Sequence, residues 1–222
     1  MDHTLKAVDG DLDDLSAEVV QMGELAVSQT TAALHAFVHH DLGQALAVVA
    51  ADERLDEMEA RIERRAIRFI ALRQPMADDL RRPIVAMKSA MQLERCGDLA
   101  KNVAKRVGRL DGRPAAAQAQ ALDELGALVA GRLSAVVGAY RDGAANAAFE
   151  VWSRDTEVDE KHEAVVGGII GAMTADPASV GVCTHLLFIA KNLERIGDHA
   201  TNIAEMVHYQ LTGQDLSHRP KL

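Results

Sequence analysis

Aromatic residues are scarce in this chain, with one Trp, two Tyr and four Phe among 222 residues. That removes the stacking platforms on which single-stranded nucleic acids lie. It also means a core built mainly from Ala, Val, Leu, Ile and Met, a palette that suits helix-on-helix packing better than a sheet sandwich. Positive charge is in deficit too: 24 Lys plus Arg stand against 33 Asp plus Glu, for a formal net charge of -9. A chain so charged has no footprint for a nucleic-acid backbone, and nucleic acid is set aside as a partner. No segment approaches the roughly 18 apolar residues needed to cross a bilayer, and the N-terminal MDHTLKAVDGDLDDL has no signal-peptide apolar core. A cytoplasmic protein without direct membrane insertion is expected. Cys96 and Cys183 sit in different halves with no CxxC spacing and read as small core residues. Glycine-rich phosphate loops and a nucleophile with a paired base are absent, so nothing points to catalysis.

What the chain does have is long stretches without β-alternation, punctuated at Asp41 to Gly43, Gln74-Pro75, Asp111 to Pro114, Asp142-Gly143 and Asp176-Pro177. These breakers predict helical segments over 4–40, 42–73, 76–110, 115–141, 143–174 and 178–212. In the third segment Leu93, Cys96, Ala100, Val103, Val107 and Leu110 step by threes and fours, the seam of a left-handed bundle. Leu186, Ile189, Leu193, Ile196, Ala200, Ile203 and Val207 repeat that spacing in the last. Gly167, Gly168 and Gly171 lower helix propensity by up to about 1 kcal/mol each, which predicts a kink or frayed turn in the fifth segment.

The two seams belong to copies of one unit. LERCGDLAKNVA (Leu93 to Ala104) matches LERIGDHATNIA (Leu193 to Ala204), and DERLDEME (Asp52 to Glu59) matches DTEVDEKH (Asp155 to His162). Each copy then holds three helices, with DxxxD on the second and ExxxD on the third. The fold expected is all-α, two tandem antiparallel three-helix bundles, residues 1–112 and 113–222, placed end to end or side by side.

A four-residue spacing puts each acid pair on one helix face, where like charges cost about 0.2 to 0.5 kcal/mol per pair. A short turn makes the second and third helices antiparallel, and counting from it brings DxxxD and ExxxD to similar height. The bland reading is a solvated acidic face neutralised by Arg54, Arg95 and Arg195. Recurrence of four pairs at matched positions favours a carboxylate metal site in each half instead. Its ligands would be Asp52, Asp56, Glu94, Asp98 and Asn102 in the first and Asp155, Asp159, Glu194, Asp198 and Asn202 in the second. Oxygen donors suit hard cations; Fe, Zn, Mn and Mg are the candidates. Ferritin-like di-metal centres take two Glu-x-x-His pairs, and the chain is read as having none. The nearest approach is Asp159-x-x-His162. His162 and His199 are possible supplementary ligands in the second half, where the first has Glu59 and Leu99. His39 and His40 end a helix, where imidazolium suits the dipole.

The duplicated unit, with DxxxD on its second helix, Gln74-Pro75 and Asp79-Leu80-Arg81 before the third, and L-E-R-x-G-D-x-A-x-N-I-A late in the third, resembles the PhoU family of phosphate-uptake regulators over nearly the whole chain. The resemblance implies two PhoU domains carrying metal on the acidic motifs at the residues named above. It also implies a cytosolic, dimeric negative regulator of the phosphate-starvation response, linking the ATPase subunit of the phosphate ABC transporter to a sensor histidine kinase. The second half reads Ser179-Val180-Gly181-Val182 after its proline, so a partner surface built on Arg81 would exist only in the first. A carboxylate-bridged di-metal enzyme or metal store is the alternative, and a purely structural bundle the third reading.

Overall fold

The structure, a computed structural model, describes residues 2–216. Among them it has eight α-helices: α1 (Asp2–His39), α2 (Leu42–Ala51), α3 (Glu53–Arg73), α4 (Asp78–Val107), α5 (Ala116–Asp142), α6 (Ala145–Ser153), α7 (Thr156–Ala175) and α8 (Val180–Thr212). A single 3-10 turn, Pro177–Ser179, precedes α8. The protein is all-α, with α1, α2–α3 and α4 forming one antiparallel bundle and α5, α6–α7 and α8 the other. Every anticipated seam residue is buried, Leu110 just past the end of α4, as is Cys183, and the buried residues of both bundles form one continuous core.

Two of the six anticipated segments are in fact pairs of helices, interrupted at Asp52 and at Arg154-Asp155. The cause lies on another element. Gln29 of α1, only 3% exposed, donates its side-chain N–H to the carbonyl of Ala51 at 2.9 Å. Its repeat equivalent on α5 is Arg132, 7% exposed, which donates to the carbonyls of Val151 and Arg154. A carbonyl released from the helix ladder needs a partner when buried, and each bundle supplies one from its first helix. By contrast α7 runs unbroken through Gly167, Gly168 and Gly171, so the frayed turn expected there does not form.

The bundles lie side by side. On α1 a Cβ at Gly23 would come within 2.6 Å of the Val137 side chain on α5, and one at Gly126 on α5 within 2.2 Å of the Leu34 side chain on α1. Gly23 and Gly126 are repeat equivalents, as are Leu34 and Val137, so the two contacts are one contact made twice about an internal two-fold. The same operation pairs α4 with α8 antiparallel. Gln92 meets His199 (2.6 Å) and Asn202 (3.2 Å), while at the far end Arg106 donates to His185 Nδ1 (3.3 Å) and stacks over Phe188. The two LER motifs therefore cross near the middle of the molecule.

Candidate metal centre

The glycine inside each LER motif sets the height of the acids. A Cβ at Gly97 would lie 2.2 Å from Leu55 Cδ1, and one at Gly197 would lie 3.0 Å from Val158 Cγ1. Leu55 and Val158 sit inside the two DxxxD stretches, so each acts as a knob over a glycine hole and holds DxxxD against ExxxD. The helix breaks place Asp52 and Asp155 at the N-caps of α3 and α7, with Asp56 and Asp159 in the first turns. There the helix dipole favours anions by about 0.3 to 1 kcal/mol each, which offsets much of the like-charge cost without any metal.

The bundles then diverge. In the second, carboxylate oxygens of Asp159, Glu194 and Asp198 lie within 4.8 Å of one another, the one such group of three among the described residues. Asp198 keeps an exposed edge, yet desolvation by the packed helices, then the charges of Glu194 and Asp155, pushes it up to about 6. Burial followed by Asp155 and Glu194 also raises Asp159. Asp155 accepts from the Thr201 hydroxyl at 2.7 Å, and at the rim Lys191 bonds Glu194 at 2.8 Å. Three crowded carboxylates with one exposed lysine at their edge favour an added proton or cation.

In the first bundle that cation is part of the chain. Lys101 occupies the position of Thr201 and donates its ammonium to Asp52, itself 6% exposed, and to Asp98 at 2.5 Å. Arg95 adds weaker ion pairs to Glu94 (3.4 Å) and Asp98 (3.5 Å). Burial alone would raise Asp98, but the hydrogen bond and charge of Lys101 outweigh it and hold the group below its ordinary value. Glu94 is pushed up to about 7, by burial first and by Asp98 second, so Glu94 holds a proton to much higher pH than its neighbour Asp98 does. Asp56 is exposed and outside these bonds.

The remaining residues named from the sequence are placed elsewhere or at the margin. Asn102 is exposed; Asn202 turns its amide nitrogen to Gln92 across the bundle interface. His199 is bound to the same Gln92 oxygen, and burial, then Arg195 and Arg95, lowers its pKa. His162 contributes only its charge near Asp159. Contrary to the sequence reading, one Glu-x-x-His does occur, Glu205 to His208 on α8, but Glu205 accepts from the Trp152 indole at 2.8 Å and His208 contacts the Gln214 carbonyl. No ferritin-like di-metal arrangement is assembled among the described residues. Lys101 is the residue of the candidate site that motif reading passed over, and the signal was in plain view: Lys in one copy, Thr in the other.

A family model described as the PhoU domain matches the chain twice, over residues 19–107 and 122–207. The chain belongs to the PhoU family. It is 51% identical over 223 residues to the phosphate-specific transport system accessory protein PhoU homolog of Caulobacter vibrioides, covering 100% of this chain and 97% of that one. The homolog of the same name from Zymomonas mobilis is 41% identical, over 99% of this chain and 92% of the other. The crystal structure of PhoU from Pseudomonas aeruginosa superposes with a TM-score of 0.87 at 31% identity, covering 93% and 99%. That of the phosphate transport system regulatory protein PhoU from Streptococcus pneumoniae gives 0.88 at 29%, covering 95% and 100%.

Proposed function

We propose that this PhoU protein is an accessory regulator of a phosphate-specific transport system. In this role it is a metal-binding adaptor that restrains phosphate uptake and the starvation response by linking the transporter's ATPase subunit to a sensor histidine kinase. Full-length similarity to accessory proteins of that name carries the reading. No helix of the described residues is long and apolar enough to cross a membrane, which fits a protein that meets membrane complexes through partners. The helical surfaces are the adaptor, and the acidic cluster is a structural clasp between α7 and α8.

The residues fit a metal unequally. Asp159, Glu194 and Asp198 form a donor set of oxygens suited to a hard di- or trivalent cation. Asp155 stands beside it, bonded to Thr201. When bound, the ion would neutralise carboxylates that otherwise repel. In the first bundle Lys101 already serves Asp52 and Asp98, so metal belongs first to the second bundle. Deleting the gene should switch on starvation genes in phosphate-replete cells, and the purified protein should retain the ATPase subunit and the kinase in pull-downs. Elemental analysis should find metal in the wild type and less in Asp198→Asn. Unchanged repression in the deletion strain would refute the regulatory role; undiminished metal in Asp198→Asn would refute the site.

A further inference from the structure

The C-terminal turn of α1 carries His35 and His39, one turn apart and both exposed. Their ring centroids are 4.2 Å apart with planes inclined at 43°. His35 Nδ1 is bonded to Gln44 Oε1, an amide oxygen with no proton to give, so Nδ1 carries the hydrogen and the neutral ring keeps its lone pair on Nε2. Gln44 is itself anchored, because its backbone N–H donates to Asp41 Oδ1 at 2.9 Å. An imidazole held through one nitrogen by a fixed acceptor is the arrangement that orients metal-ligating histidines.

Packing does not require these rings. Their equivalents in the second bundle are Gly138 and Asp142, and the left-handed cap filled by His40 (φ 54) is filled there by Gly143 (φ 61). The place also suits a cation, since the last carbonyls of α1 and the negative end of its dipole lie at His39. We propose that His35 and His39 chelate a transition-metal dication of the zinc class through their ring nitrogens, at a second site separate from the carboxylate cluster. Imidazole pairs select such ions over Mg²⁺ or Ca²⁺, which prefer oxygen, and water fills the remaining positions. Two protein ligands and open solvent make this an exchangeable site rather than a structural one.

The test is a Zn²⁺ titration of the full chain in excess Mg²⁺, following histidine ring nitrogens by long-range proton–nitrogen NMR. The rings of His35 and His39 should respond together. His39→Ala should weaken binding at least tenfold and abolish the His35 response, Gln44→Ala should weaken it about tenfold by unfixing His35, and Asp198→Asn should leave both responses intact. Circular dichroism verifies that the variants fold. Ring nitrogens of His35 and His39 that stay unshifted as Zn²⁺ saturates the protein, or a His35 response that survives His39→Ala, would overturn the proposal.

Discussion

Lys101→Thr gives the first bundle the side chain that the second has at Thr201, and its cost can be worked from the contacts. Lys101 is 20% exposed and serves Asp52 at 9% and Asp98 at 32% side-chain exposure. Removing one partner of a buried ion pair costs about 3 to 5 kcal/mol, and the exposure of Asp98 moves this to the low end, about 3. Threonine can donate one hydroxyl bond to Asp52, as Thr201 does to Asp155, recovering about 1 kcal/mol. A net loss of about 2 kcal/mol at pH 7 follows, or roughly 4 to 8 °C in Tm for a chain of this size. The loss depends on pH with a definite sign. Because Lys101 depresses Asp98 below its ordinary 3.8, the stability it contributes is fully present well above that value, begins to fall as pH nears it, and is gone only once pH has dropped through the lower folded-state value. Urea unfolding in chelator, wild type against variant, at pH 7 and pH 2.5 is the assay. A gap under about 0.5 kcal/mol at pH 7, or an equal gap at both pH values, would refute the reasoning. Adding Mn²⁺ provides a second arm. If the bared carboxylates take metal, the variant should recover about 2.7 kcal/mol at a hundredfold excess over Kd, beyond any gain in the wild type; equal gains in both would mean that Lys101 is not what keeps metal out.

Gly97→Ala drives a Cβ to 2.2 Å from Leu55; overpacking of about 1 to 3 kcal/mol should exceed the roughly 1 kcal/mol gained in helix propensity, lowering Tm. Gly197→Ala, at 3.0 Å from Val158, should change stability by less than about 0.5 kcal/mol, and equal losses in the two would contradict the knob-and-hole account. Asp198, raised to about 6 from 3.8, keeps its proton in the folded state after the unfolded chain has released it. Metal-free stability should therefore fall relative to Asp198→Asn as pH rises from about 4 to 6, while metal affinity rises over the same interval; chelated and metal-loaded melts across that window check both. Arg132→Met removes the donors to the Val151 and Arg154 carbonyls and should cost about 2 kcal/mol or more in urea unfolding.

Helix type, the seams and the duplication were legible because each is a local periodicity: Leu93 to Leu110 and Leu186 to Val207 declare their buried face whatever surrounds them. The breaks at Asp52 and Asp155 were not, because their cause sits on α1 and α5, at Gln29 and Arg132, more than twenty residues away in sequence. Gly167 to Gly171 erred in the other direction: propensity costs of about 1 kcal/mol per glycine yield to the burial of Val165 and Ile169 on the same helix. For the site, the spacing put the right helices at the right height, and Asp159, Glu194 and Asp198 do converge. It could not foresee that Asn202 and His199 would be drawn to Gln92, since antiparallel contact of α4 with α8 is a property of the assembled pair. Lys101 against Thr201 was legible but carries meaning only once the ammonium is seen between two carboxylates.

The exchange of Gly23, Leu34, Gly126 and Val137 across the internal two-fold has an evolutionary consequence. In a homodimer, any substitution near the axis appears twice, so a lysine that silences one acidic nest silences both. Here the halves are fused in one chain, and each position mutates alone. Symmetry is retained where small residues let the helices meet and relaxed where charge is displayed, which lets one ancestral module become two chemically different lobes without surrendering the joint that holds them.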